Sequence, residues 1–277
     1  MGGWSQVEHG GRTEMSRRYA FGDSDTAAIR LAVVAKVFEP ATREFLETLD
    51  LGTPGLVIDL GCGPGYTTAL LAEVLRPLRT IGLDVSPPFL DRARRDRPTL
   101  EFLVHDVTAL PFPVGPPDLL FCRYLLTHLE DPVGWIARWG TSLPPGGLLA
   151  LEEPEEIHTS SPVFSTYLEI VDEMLQSQAN QLYVGRDLDR APAPPPLVKR
   201  ASRLGELRVS PVDAATMFSL NLQTWKQHPF VREHRSAAEV SRLERDLAGI
   251  RDGEAEGVEL VWNLRQLVYE RTEAEPG

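Results

Sequence analysis

Two cysteines in 277 residues, Cys62 and Cys122, are too few for a disulfide framework. With no secretory signal beside them, they fit a reducing cytoplasm. The first 18 residues, MGGWSQVEHGGRTEMSRR, lack the apolar core of a signal peptide and read as a loose, flexible polar start. No run of about 18 apolar residues occurs, so no membrane span is expected. Positive charge is also scarce: 28 Lys and Arg stand against 40 Asp and Glu, a net charge of -12. Such a chain repels a phosphate backbone, which argues against general nucleic-acid binding. There is no internal repeat. What remains is ordinary soluble usage, 42% hydrophobic and 25% charged, in a length that suits one large α/β domain or one domain with an insertion.

The middle of the chain alternates strand-like and helix-like runs. GLVIDLG precedes the helical run Thr67–Leu75, and LRTIGLDVS precedes PPFLDRARRD. LEFLVHDV is a third strand, DLLFCRY a fourth before the helix PVGWIARWGTSL, and GGLLALEEP a fifth. Strands alternating with helices imply right-handed βαβ units and a parallel sheet. Upstream, DTAAIRLAVVAKVFEPATREFLETL is helical, with Pro40 expected to break it into two helices. The last strands are expected in ELRVSPV, near 206–212, and WNLRQLVYERT, near 262–272. The proline-rich APAPPP at 191–196 reads as a turn rather than a domain linker.

The stretch VIDLGCGPGYTTAL, Val57–Leu70, carries the chemistry. Ligands of open α/β sheets bind beyond the C-terminal ends of the strands, and glycine there takes positive φ and lets backbone approach a ligand. One tight turn needs one glycine, whereas Gly61, Gly63 and Gly65 are three. A dinucleotide fingerprint would place Gly or Ala where Tyr66 stands, and a phosphate-binding P-loop would need a lysine that does not follow. A nucleoside ligand without a pyrophosphate remains. Asp84, at the end of the second strand, can accept hydrogen bonds from ribose hydroxyls, and Asp106, ending the third, from an exocyclic amine.

These residues resemble the Rossmann-like S-adenosylmethionine-dependent methyltransferases, in their small-molecule branch. Five ordered motifs over roughly 55–155 carry the likeness: the glycine loop, the two strand-end acids, FCRYLLTHLEDP and LPPGGLLALEEP. The resemblance implies a seven-stranded, mostly parallel sheet with the last strand antiparallel, filled by WNLRQLVYERT. It implies S-adenosyl-L-methionine as cofactor. The segment with Asp59, Gly61, Cys62, Gly63 and Gly65 would cradle the methionine part, Asp84 and Val85 the ribose, and Asp106 with Val107 the adenine. Arg123, in the fourth-strand motif, would line the cofactor. Asp59 would favour the sulfonium and ammonium of that ligand where it would repel a pyrophosphate, and a backbone-capping role is compatible with this. RRYAFGDSDTAAIRL resembles helices that close over the cofactor, which puts Tyr19 and Arg30 at the methionine carboxylate unless Arg30 is a solvated helix-face charge.

Transfer of a methyl group needs alignment more than acid–base power, because a sulfonium is already a good leaving group. A base matters only for a protonated nucleophile. His128 after strand four, and Glu153 and His158 at and after strand five, are the candidates; the plainer readings are a packed helix-start residue, a satisfied strand-end carboxylate and a solvated loop histidine. The acidic run Glu152, Glu153, Glu155, Glu156 with His158 invites a metal, but Pro154 and the alternating charge suggest a loop, and no metal is assigned. Cys62 and Cys122, on loop and strand ends expected to be neighbours, read as small buried side chains.

The expected organisation is a polar start at 1–18, N-terminal helices over 19–50 closing the cofactor site, and a methyltransferase domain over 51–277. Within it, a helical substrate cap is inserted after strand five, about 155–205 and 213–260. Tyr183, Met217 and Trp225 in that cap suit a hydrophobic organic substrate. The chain reads as a cytoplasmic monomer or homodimer methylating oxygen or nitrogen, less readily carbon, of a small specialised metabolite. An S-adenosylmethionine-binding protein with non-methylating chemistry (decarboxylation, hydroxylation, ring closure) and a non-catalytic binding module stand as alternatives.

Overall fold

A computed structural model describes residues 25–253 and 257–273. The polar start and Tyr19 lie outside them. Seven strands form one sheet: β1 (Leu56–Leu60), β2 (Arg79–Asp84), β3 (Glu101–Val104), β4 (Leu119–Arg123), β5 (Leu148–Thr159), β6 (Leu197–Arg208) and β7 (Leu260–Arg271). Their spatial order is β3-β2-β1-β4-β5-β7-β6. The first five run parallel, while β7 is antiparallel to both β5 and β6, as the resemblance implies. The order reverses between β1 and β4, which puts a ligand crevice beyond their C-terminal ends.

The helices are α1 (Asp25–Glu47), α2 (Tyr66–Leu75), α3 (Pro87–Asp96), α4 (Pro132–Gly140), α5 (Pro162–Gln176), α6 (Val184–Arg190), α7 (Pro211–Trp225), α8 (Pro229–His234) and α9 (Ala237–Arg251). Local chemistry sets several starts. Ser86, Asp131, Ser161 and Ser210 each accept a backbone N–H from three residues on and each precede a proline at the first helical position. The proline costs nothing there, because its missing N–H would have had no intrahelical partner.

Alternate residues of the strands go to opposite faces. Val57, Leu119, Phe121, Leu148 and Ala150 pack with Phe45 and Leu46 of α1 and Leu70 and Leu71 of α2. Ile58, Leu60, Leu120, Cys122 and Leu149 pack with Ile136 and Trp139 of α4 and Leu188 of α6. The period of two, with both faces apolar, is what a buried parallel sheet requires. A further core joins α5, α7 and α9 to Ile157, Trp262 and Leu264 on the far halves of β5 and β7, with Phe38 of α1 reaching into it.

Four expectations change. Pro40 does not divide α1, which runs unbroken over 23 residues. The ring removes one backbone bond, but Phe38, Phe45 and Leu46 are buried on either side of it, and α1 packs on both α2 and α7. The acidic run 152–158 is not a loop: β5 continues through Pro154 to Thr159, with a bulge between Pro154 and Glu156 and β7 as its partner. The strand expected near 206–212 lies earlier, at Leu197–Arg208, and the Ser-Pro at 210–211 starts α7 instead. Helices α5–α6 precede that edge strand and α7–α9 follow it. Last, the two cysteines are free and sit in different apolar clusters, Cys62 with Leu90, Ala93 and Phe102, Cys122 on the α4 side.

Candidate functional site

Gly61, Gly63 and Gly65 all take positive φ, at 67°, 51° and 80°. The loop is a succession of left-handed residues, which answers why one glycine would not do. A Cβ on Gly61 would meet Leu125 Cδ1 at 2.8 Å, whereas one on Gly63 would meet nothing closer than Leu31 at 3.6 Å. Gly63, though buried, therefore has room for a Cβ that Gly61 lacks, and Asp84 fixes its backbone. Asp84 Oδ2 accepts from Gly63 N at 2.8 Å and Oδ1 from Ser86 N at 2.8 Å. The carboxylate thus ties the glycine loop to the start of α3 at the end of β2. Val85 beside it is an exposed apolar side chain. At the end of β3, Asp106 Oδ1 accepts from the backbone and hydroxyl of Thr108, while the Val107 carbonyl accepts from the Trp139 indole at 2.9 Å. That bond fixes the turn carrying the Val107 N–H.

Asp59 lies deeper than a charge facing a ligand would. It is buried on β1, with Oδ2 2.6 Å from Thr68 Oγ1 on α2, and burial pushes its carboxyl up to about 7. It ties β1 to the first turns of α2 from beneath the loop. Cys62 is buried in that loop, its backbone N–H donated to Leu83 O, and burial raises its thiol.

Arg123 turns to the α1 side. Its guanidinium donates to Thr42 Oγ1 at 2.9 Å, and that hydroxyl is 2.5 Å from Glu152 Oε2. Gln266 of β7 donates to the other oxygen of Glu152. Arg123 also borders a cavity of about 270 Å³ between α1 and α2, lined by Lys36, Tyr66, Thr67 and Arg97. Arg30 is buried rather than solvated, and its charge reaches His128.

The three acid–base candidates are not brought together. His128 ends a single 3-10 turn, Leu126–His128, after β4. Burial, then Arg30, holds its imidazole down to about 4, so it is neutral at pH 7. His158 lies within β5, exposed, with its ring 3.1 Å from Glu156 Oε2. It does not join the other two. Glu153 is buried on the opposite face of β5 from Glu152, its Oε1 accepting from Leu125 N at 2.9 Å and Leu126 N at 3.0 Å. Burial raises its carboxyl to about 8. Glu155 pairs with Arg265, and Glu156 with Arg186 and His158, so the second half of the acidic run is taken up in ion pairs. Among the described residues no group of three or more His, Cys, Asp or Glu converges to hold a metal.

Sequence reasoning missed Tyr124. It follows β4 with φ 55°, in left-handed space for a bulky side chain, and its N–H donates to Glu152 O. Its ring is edge-on to Phe38 at 5.3 Å, and Phe38 is edge-on to Trp262 at 5.1 Å. Tyr124 Oη and Trp262 Nε1 lie near each other, sheltered from solvent, without a well-formed hydrogen bond. An aromatic ending a strand carries no signal of this kind, because the partner rings come from α1 and β7.

Comparison with known proteins agrees with this geometry. Residues 57–147 match a methyltransferase-domain family. Trans-aconitate 2-methyltransferase of Methylobacterium nodulans is 40% identical over 118 residues, 43% of this chain and 45% of that protein. The enzyme of the same name from Azoarcus is 37% identical over 114 residues, 41% of this chain and 45% of that one. The match thus spans less than half the length of these relatives. Among solved structures, a methyltransferase from Bacillus halodurans superposes with TM-score 0.52 at 14% identity, covering 84% of this chain and 98% of that one. A Haloferax volcanii complex of the Trm112 methyltransferase activator with a methyltransferase gives TM-score 0.52 at 18% identity, covering 91% and 96%. These two speak to the fold alone. Residues 57–147 thus match a methyltransferase domain, set in a sheet order and beside a glycine loop that resemble those of the Rossmann-like S-adenosylmethionine-dependent methyltransferases.

Proposed function

We propose that this protein transfers the methyl group of S-adenosylmethionine to oxygen or nitrogen of a small, largely apolar organic molecule. The observation that carries the reading is the loop whose three glycines all take positive φ, with Gly63 and Ser86 held by their N–H groups on Asp84 at the end of β2. The cofactor, when bound, supplies an electrophilic methyl on a sulfonium. The chain's residues supply placement: Asp84 at the ribose, Asp106 and the Val107 N–H at the adenine, and the Gly61–Gly65 backbone with Arg30 at the methionine end. Asp59 acts through Thr68 and the loop. Alignment of nucleophile and methyl is worth about 7 kcal/mol or more.

In this reading the apolar packing of α5, α7 and α9 on the far halves of β5 and β7 favours an apolar acceptor. α1, α5, α7 and β7 contribute Phe38, Tyr167, Phe218 and Trp262 in successive ring contacts, from 4.1 Å to 6.0 Å between centroids. An indole N–H only donates, so the Trp262 indole and the Tyr124 phenol together suit an acceptor oxygen on the substrate. The relatives are named for trans-aconitate, a triacid, which would want several converging cations rather than so apolar a setting. His128, neutral and next to β4, is the nearest base in this reading. Chemistry that rests on a sulfonium needs no metal, so EDTA leaves turnover unchanged.

The test is calorimetric titration with S-adenosylhomocysteine, followed by incubation with methyl-labelled S-adenosylmethionine and a panel holding trans-aconitate, phenols and aromatic acids. Label should pass to a phenol or aromatic acid in preference to trans-aconitate. No binding of S-adenosylhomocysteine would remove the reading. Consumption of an acceptor without label transfer would favour non-methylating chemistry.

A further inference from the structure

Glu153 is buried at 1% exposure, yet its ligands are backbone groups rather than a cation. One oxygen, Oε1, takes both the Leu125 and the Leu126 N–H, and the same oxygen is 3.9 Å from the Cys122 thiol. Those two N–H groups open the 3-10 turn that ends at His128, and they follow directly on Tyr124 with its left-handed backbone. A turn entered through a strained residue needs its first donors held, or it relaxes. Leu125 then carries the position onward. Its side chain lies so close over Gly61 that a Cβ there would be 2.8 Å away. A chain of contacts therefore runs from β5 through Glu153, the Leu125 backbone and the Leu125 side chain to the first glycine of the loop.

We infer that Glu153 is a positioning residue: it acts as a fixed double acceptor that sets the 124–128 turn, and through Leu125 the glycine loop, in the shape that binds cofactor. The role asks for an acceptor oxygen at one point. It asks for neither a negative charge nor a proton moved to or from substrate. This differs from a general base, the role the sequence suggests for Glu153, and the two diverge on substitution. Glutamine keeps an acceptor oxygen at the same reach and cannot serve as a base; alanine keeps nothing. The inference rests on the cofactor reading for its binding readout, and a second readout stands apart from it.

Three variants of the full chain, E153Q, E153A and L125A, are titrated with S-adenosylhomocysteine, and hydrogen exchange is followed in peptides spanning 120–130. E153Q should bind within twofold of wild type and keep the Leu125 and Leu126 amides protected. E153A should lose about tenfold in affinity and expose both amides. L125A should lose comparable affinity while the two amides stay protected, since their acceptor is intact. If E153A does not fold, E153Q and L125A carry the test. Loss of affinity in E153Q would overturn the inference, because the acceptor is preserved there. So would wild-type affinity and protection in E153A, or undiminished affinity in L125A. If wild-type protein fails to bind S-adenosylhomocysteine, the cofactor reading falls, and unchanged amide protection in E153A would then sink the positioning role by itself.

Discussion

At the scale of single residues, the glycine loop separates two costs that usually arrive together. Gly63 and Gly65 both have positive φ, but a Cβ on Gly63 finds its nearest neighbour at 3.6 Å and one on Gly65 meets the Phe102 ring at 2.6 Å. G63A should therefore cost only the left-handed backbone, about 1–2 kcal/mol of unfolding free energy. G65A adds overpacking against a buried aromatic, a further ~1–3 kcal/mol. Urea denaturation of the two variants decides it; equal losses would mean the ring moves aside freely. Asp84 offers a companion measurement on binding. D84N keeps one acceptor oxygen and must release either Gly63 N or Ser86 N, so it should weaken S-adenosylhomocysteine by about 1.5–3 kcal/mol, the scale of hydrogen bonds to a charged group. Calorimetric affinity equal to wild type would take Asp84 out of the ribose site.

At the scale of elements, Pro40 sits exposed in the interior of α1, where it removes the backbone bond to Lys36. P40A restores that donor, and a proline in a helix interior is about 3 kcal/mol worse than alanine. Part of that penalty is already absorbed by burial of Phe38 and Phe45 on either side, so the expected gain is ~1–2 kcal/mol, read as a higher midpoint in differential scanning calorimetry. A lowered midpoint would show that the local bend at Pro40 fits α1 to the sheet. The same helix illustrates what the sequence discloses and what it hides. The parallel strands were legible because each is an apolar run with a turn signal after it, and the cofactor residues because Gly61–Gly65, Asp84 and Asp106 stand at strand ends. Pro40 misled because propensity counts the lost bond and not the contacts that hold the helix together. β6 is hidden for the opposite reason: an edge strand reading LVKRASRLGELR carries Arg200, Glu206 and Arg208 on exposed positions, with no apolar alternation to betray it. The run 152–158 reads as a loop because charge and Pro154 mark turns locally. The pairing that makes it a strand comes from residues 260–266, more than a hundred positions away. Of the proposed catalytic set, His158 was misplaced by that same error, and Tyr124 was passed over because its neighbours are remote in sequence.

At the scale of the whole molecule, buried ionisable groups of opposite tendency meet around the end of β4, and they give folding stability a pH dependence with a definite sign. Asp59, held at about 7, and Glu153, at about 8, are acids raised chiefly by burial, and burial raises Glu152 as well. The groups facing them are Thr68, Arg123 and Asp84 around Asp59, and Glu152 with the Leu125–Thr127 backbone around Glu153. A raised acid binds its proton more tightly folded than unfolded, so its stabilisation is complete below the unfolded value near 4 and is lost as pH climbs to the folded value. His128 runs the other way: held down to about 4, it keeps its full stability above the unfolded value near 6.5 and loses it as pH falls toward 4. Between about pH 4 and 6.5 the two tendencies oppose each other. Between 6.5 and 8 the histidine no longer changes, and the carboxyls act alone. Unfolding free energy of the ligand-free protein should therefore fall over that upper window, by on the order of 1 kcal/mol per pH unit, the scale set by one proton retained in the folded state. Glu153, the more strongly raised of the two, should account for most of the slope near pH 8, since Asp59 is already half ionised at 7. Urea denaturation at pH 6.5, 7.25 and 8 measures it, and E153Q, which has no proton to lose there, should flatten the upper part of the curve. A wild-type curve level across the window, or an equally steep one in E153Q, would mean that water or local opening solvates these carboxyls and that the sheet edge is less sealed without its ligand than its burial suggests.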